Sequence, residues 1–237
     1  MTEHCRAAMW YSDHIEIADS ELRGIKALRE CSDVKMRGCD VVSPEFGWSV
    51  RGIEMEDCNA ESEYFMMRSA NLRFADVRMK GKYSFQYIED SVFETCTFDT
   101  KDAFWHAKNV TVRNSVVKGE YLAWYCENVT FENCTIIGTQ PLCYCKGLKL
   151  VNCEMLDCDL AFERSGGSVH RHAGAQHQKP AGRAHHGSGR RRNHPGYGRS
   201  QGNRAGENTK GQKRLRIKKK KKAKWQIGRA DAKNIAS

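Results

Sequence analysis

The side chains that could do chemistry in this chain recur at a fixed interval. Asp102 and His106 stand four residues apart, a carboxylate and an imidazole that could act together in proton transfer. Tyr87 lies 19 residues before His106, and Tyr125 lies 19 after it. The same step leads back from Tyr87 to Arg68 and forward from Tyr125 to Tyr144 and Glu163. A second row, Tyr64, Tyr83, Asp102 and Tyr121, keeps the interval too. Rows of phenol, guanidinium, imidazole and carboxylate combine apolar contact with hydrogen bonding, which is the chemistry that holds a sugar. Catalysis on a sugar asks for more. Glycoside hydrolysis needs two carboxyls about 5–5.5 Å or about 6.5–9.5 Å apart. Neither row offers a carboxylate one step from Asp102, and Asp57 and Asp76 fit corners, where Asp is favoured for conformation alone. His106 and Asp102 are therefore weak catalytic candidates, and a binding role is favoured over an enzyme. No C-x-x-C pair occurs, and Cys143-x-Cys145 is the closest cysteine spacing, so no metal and no cofactor is expected.

The interval belongs to a repeat. From Arg6 onward the chain divides into eight consecutive units of 19 residues with no insertion, and a partial ninth begins at Cys158. Three read KDAFWHAKNVTVRNSVVKG (101–119), EYLAWYCENVTFENCTIIG (120–138) and TQPLCYCKGLKLVNCEMLD (139–157). Position 10 of the units holds Ile15, Val34, Ile53, Leu72, Ser91, Val110, Val129 and Leu148. Position 12 holds Ile17, Met36, Met55, Phe74, Phe93, Val112, Phe131 and Leu150, and the residue between is mostly charged or Thr. Such alternation marks a strand with one buried face. Positions 15 and 17 repeat the pattern, and position 14 is Asp, Asn, Gly or Thr throughout, as a sharp corner requires. A unit of three short strands cannot bury its own inner face, so the units must stack about 4.8 Å apart. The expected fold is all-β, a parallel β-helix with 19-residue coils, and three unequal strands favour the right-handed form.

Stacking places Cys39 over Cys58 and Cys134 over Cys153. Parallel Cβ vectors suit a disulfide poorly, so these read as small core residues. Eleven cysteines without a leading apolar segment point to a reducing, cytoplasmic location. No apolar run reaches the ~18 residues of a membrane span, so no membrane partner is expected.

Composition then changes abruptly. Residues 1–163 carry 18 basic and 27 acidic side chains, whereas residues 164–237 carry 21 basic and two acidic. The second part is Gly-, His- and Arg-rich and ends in KGQKRLRIKKKKKAKW before a short remainder, so it reads as a disordered basic tail. Its Lys and Arg runs would bind polyanions such as nucleic acid without reading sequence. The domains are thus 1–163 and 164–237.

Runs such as FWHAKNVTVRNSVVKGEYLAWYCENVTFENCTIIG resemble a bacterial domain-of-unknown-function family of pectate-lyase-like, right-handed parallel β-helices over about residues 1–163. The resemblance implies no established activity. It implies further coils ahead of the point matching Met1, hence an uncapped coil end able to self-associate. It also implies a regular closing segment where this chain turns basic. Suitable codons for Gln176 to Ser188, read one nucleotide later, give S-I-K-N-P-L-A-G-R-I-T-A, which is similar to that segment, so the tail also reads as a frameshift.

Within each coil, small or apolar residues at position 7 point inward. Extended alternation over positions 2–7 then puts positions 3 and 5 inward and 2, 4 and 6 outward. That predicts buried Trp10, Trp48, Trp105 and Trp124 and an exposed stripe of Tyr64, Arg68, Tyr83, Phe85, Tyr87, Phe104, Tyr121, Tyr125 and Tyr144. The stripe suits a saccharide-binding or assembly scaffold, with a carbohydrate-active enzyme of pectate-lyase-like type and polyanion binding by the tail as alternatives.

Overall fold

The structure, a computed structural model, describes residues 6–170. They form a parallel β-solenoid of 19-residue coils, with no helix among the described residues. The basic tail and the frameshift reading lie outside them.

Two sheets run the length of the solenoid. Positions 8–13 supply nine parallel strands, from Asp13–Ala18 to Gly166–His170, each bonded to its equivalent in the next coil. Val110 pairs with Val129, as the repeat predicts. Positions 16–18 supply eight shorter strands, from Glu21–Arg23 to Glu154–Leu156. Val110, Val112, Val129 and Phe131 are buried, and so are Cys134 and Ile136 on the second sheet. Both alternations read from the sequence therefore face the core.

Corners fall where Asp, Asn and Gly recur. Asp33, Asn71, Asp90, Asn109 and Asn128 at position 9 all have φ near +50°, as do Asp57, Asp76, Asn114, Asn133 and Asn152 at position 14. Short polar side chains tolerate this region and can bond locally. Here they also bond vertically. Asn152 Nδ2 donates to Asn133 Oδ1 at 2.8 Å, and Asn133 Nδ2 donates to Asn114 Oδ1 at 3.1 Å. At the third corner Gly138 approaches the coil before it too closely for a side chain: a Cβ there would lie 1.8 Å from the Gly119 carbonyl oxygen, whereas Ser43, Ser62 and Thr100 are accommodated at the same position of other coils.

The ten described cysteines are free thiols. Most donate to a carbonyl of the preceding coil, as Cys126 Sγ does to the Phe104 oxygen at 2.8 Å. Ser69 Oγ bonds the Gly47 oxygen in the same way at 2.7 Å. Where position 7 is serine or cysteine the side chain can satisfy a carbonyl of the preceding coil, whereas Val50, Ile88 and Ala107 fill the same buried place without a donor.

The ninth coil departs from the period by one residue. Cys145 N–H donates to Ser165 Oγ, 20 residues on, whereas Val50 N–H donates to Ser69 Oγ, 19 on. The register returns at a bulge beside Lys146 and Leu148.

Candidate recognition face

The third side of the solenoid is where the sequence and the structure differ. Positions 2–7 are not a continuous extended strand. Short strands occur only in the first four coils: Ala7–Trp10, Lys26–Arg29, Glu45–Phe46 and Tyr64–Phe65. In the following four coils the segment is a chain of turns with positive φ at positions 2, 4 and 6, as at Tyr83, Phe85 and Tyr87. Alternating the handedness of the backbone changes where side chains point. Positions 3, 4 and 7 enter the core, while 2, 5 and 6 face outward.

Two expected stripe residues are therefore core residues. Phe85 and Phe104 are 0% exposed, stacked on each other at 4.9 Å and packed against Phe93 and Phe98. The tryptophans move the other way. Trp48, Trp105 and Trp124 are half-buried, and Trp10 is exposed. Their indole N–H groups are committed to backbone carbonyls. Trp105 Nε1 donates to the Tyr121 oxygen and Trp124 Nε1 to the Gln140 oxygen, both at 2.7 Å. Gln86 fills the same role, donating from Nε2 to the Asp102 oxygen at 3.0 Å.

The structure brings the row at position 6 together as a stacked ladder. Tyr87 and His106 stack at 4.9 Å, His106 and Tyr125 at 5.1 Å, and Tyr125 and Tyr144 at 4.8 Å, all within 11° of parallel. Arg68 caps one end, its guanidinium carbon 6.0 Å over the Tyr87 ring. Glu163 follows at the other end, where its backbone oxygen accepts from the Tyr144 N–H at 2.7 Å. Desolvation first, and the Glu163 charge second, push the Tyr144 phenol above its ordinary range. Beside this row Trp105 and Trp124 stack at 5.4 Å, 3° from parallel. Arg29 sits between Trp10 and Trp48, 5.4 and 5.0 Å from their rings. Faces are thus used up along the ladder, and what it presents outward is ring edges, hydroxyls and the imidazole. Tyr87 and Tyr125 remain 46% and 44% exposed.

The row at position 2 is interrupted. Tyr64 and Tyr83 stack at 5.1 Å, then Asp102 takes the place of a ring, and Tyr121 follows. Asp102, expected to be exposed, is 8% exposed. Burial raises its carboxyl above the usual carboxylate range, Lys101 opposes the rise, and Glu120 adds to it. Lys101 and Glu120 were not legible as site residues. They pair at 3.2 Å, with the Lys101 ammonium 5.4 Å over the Tyr121 ring. Opposite charges at one position of adjacent coils were the available signal. Among the described residues no group of three or more His, Cys, Asp or Glu side chains could hold a metal ion.

Solved structures with weak similarity are a candidate glycosyl hydrolase from Parabacteroides merdae ATCC 43184 and QnrB1, a plasmid-mediated fluoroquinolone resistance protein. The first is 9% identical with a TM-score of 0.20, over 57% of this chain and 80% of that one. The second is 9% identical with a TM-score of 0.23, over 66% of this chain and 91% of that one. At these values neither carries a functional argument. No curated protein matches the sequence. The family model described as "Protein of unknown function (DUF3737)" matches residues 1–174, the 19-residue coils included, and the chain belongs to that family.

Proposed function

We propose that this face is a recognition surface for a linear saccharide, and that the protein is a binding or assembly scaffold of pectate-lyase-like kinship. One observation carries the reading. The ladder Tyr87–His106–Tyr125–Tyr144 repeats polar ring edges every 4.8–5.1 Å along the solenoid. A β-1,4-linked pyranose chain advances by a similar step per residue, so successive sugar hydroxyls would meet the successive phenol and imidazole groups of Tyr87, His106 and Tyr125. Stacking on ring faces plays no part, because the rings cover one another. The rigid ladder also lowers the entropic cost of binding, since its side chains are already fixed.

Catalysis is the weaker reading. Glu120 supplies the second carboxylate that the sequence did not place near Asp102, but it is engaged by Lys101. Ten free thiols support a reducing compartment for this activity. Glycan-array binding by the full chain tests the proposal. Tyr87→Ala and Tyr125→Ala should each lower affinity about 10-fold, as loss of a well-placed aromatic contact does. Binding unaffected by both changes would reject this face. If no glycan binds and light scattering shows association that Tyr125→Ala abolishes, the assembly reading replaces the saccharide.

A further inference from the structure

We propose that the first four strands of the nine-stranded sheet are a docking face for a second copy of this chain, held with its solenoid antiparallel to the first. The inference is independent of the saccharide reading, because it rests on a different side of the solenoid from the aromatic ladder.

The face is built by Asp13–Ala18, Ser32–Arg37, Arg51–Glu56 and Ala70–Ala75. Positions 10 and 12 of these strands turn toward the core, so positions 11 and 13 stand outward. From one strand to the next, position 11 is Glu16, Lys35, Glu54 and Arg73, and position 13 is Ala18, Arg37, Glu56 and Ala75. A groove of about 550 Å³ runs over both rows.

Opposite charges on adjacent strands can pair sideways. Arg113 and Glu132 do so at 3.2 Å farther along the same sheet. The first four strands behave differently. Lys35 approaches Glu16 only to 4.0 Å, and Arg37, Glu54, Glu56 and Arg73 form no ion pair with any described residue. All six charged side chains are exposed. Their charge is therefore left for a partner outside the sheet.

The order of the charges selects that partner and its orientation. Consider a two-fold axis parallel to the strands, midway between the second and the third. It sets the first strand of each copy against the fourth strand of the other. Glu16 then faces Arg73 of the second copy, Lys35 faces Glu54, Arg37 faces Glu56, and Ala18 faces Ala75. Each contact occurs twice, as an isologous interface requires, and no like charges meet in either row. A two-fold axis along the solenoid would instead set position 11 on position 13. Lys35 would then face Arg37 and Glu54 would face Glu56, which repel. The later strands lack this pattern, since Val92, Thr111 and Thr130 follow at position 11. Four such strands cover about 400 Å² per copy, at ~4.8 Å between strands and ~3.3 Å per residue. A contact of that size is a weak, exchanging dimer.

Exchanging the charges tests the face. The full chain and its variants are compared by sedimentation velocity at up to ~500 μM, the range that a contact of this size calls for. The parent should dimerise reversibly. Lys35→Glu alone sets carboxylates against each other across the axis, and Glu54→Lys alone sets ammonium groups against each other. Each should weaken the dimer at least ~10-fold. An equimolar mixture of the two variants restores both facing pairs and should recover the parent's dimer. Sideways pairing within one chain gives no recovery on mixing. Circular dichroism checks that each variant keeps the parent's fold. If either does not, Arg37→Glu and Glu56→Arg pose the same test at position 13. A parent that stays monomeric, association that the single changes leave intact, or a mixture that stays monomeric would each overturn the docking face.

Discussion

Asp102 carries a stability signature of its own, apart from any ligand. Burial raises its folded-state pKa above the unfolded value of about 3.9, and the Lys101 charge only partly offsets this. Well below about pH 3.9 the carboxyl is protonated in both states and contributes no difference. Between the two pKa values the folded state binds more protons, so stability falls as pH rises. Above the folded-state value the full cost of the shielded charge is present. Asp102→Asn removes that cost. The variant should therefore be more stable than the parent at pH 7, and the two should converge toward about pH 3. Urea unfolding at a series of pH values checks this. A parent that is more stable than Asp102→Asn at pH 7 would mean the carboxylate has a partner that stabilises it. Neighbouring residues show how narrowly such roles are set. Phe104, two residues on, is fully buried in a ring cluster, while His106, two further, stands half-buried in the outward ladder.

At the scale of the coil, the strands and two corners were legible and the third side was not. Positions 10–13 and 16–18 alternate in the extended conformation, where a period of two translates directly into inside and outside. Val110, Val112 and Val117 enter the core as that rule requires. Positions 2–7 follow the same arithmetic on paper, but residues such as Tyr83, Phe85 and Tyr87 take φ between 49° and 59°, which exchanges positions 4 and 5. The residues did carry a warning. Position 4 is Met9, Leu28, Gly47, Met66, Phe85, Phe104, Ala123 and Leu142, without a polar side chain, whereas position 5 includes Arg29 and Gln86. Since each coil touches only its neighbours, one whole coil should be removable. Deleting 120–138 would set Val110 under Leu148, Val112 under Leu150 and Asn114 under Asn152, so the core and the Asn row both close. The shortened protein should keep a β circular dichroism spectrum and lose only a few degrees of midpoint, on the order of 2–4 °C per kcal/mol lost. Deleting 120–129 should abolish folding, because it carries every later side chain to the wrong register. Equal outcomes for the two deletions would contradict nearest-neighbour stacking.

Over the whole molecule, charge is divided rather than mixed. Residues 1–163 have a net charge of −9 and residues 164–237 of +19, while the total is +10. Ionic attraction of the chain to a polyanion must then originate in the second part, because the net-negative coils repel a polyanion within a Debye length of about 8–10 Å and are screened from it further out. Base readout needs side chains placed against base edges, and a run such as Lys218–Lys222 offers five equivalent charges without such placement. Binding to duplex DNA should therefore be independent of sequence and steeply dependent on salt. A chain that neutralises about 6–10 phosphates loses about 10³–10⁵ in affinity between 50 and 200 mM salt. A protein ending at residue 170 should show no measurable affinity under the same conditions, and Lys101→Ala in the full chain should leave DNA affinity unchanged. Fluorescence anisotropy with two unrelated duplexes at three salt concentrations measures all of this. Affinity retained by the shortened protein would place the polyanion site on the solenoid and would refute the charge argument. Discrimination between the duplexes would refute the absence of base readout.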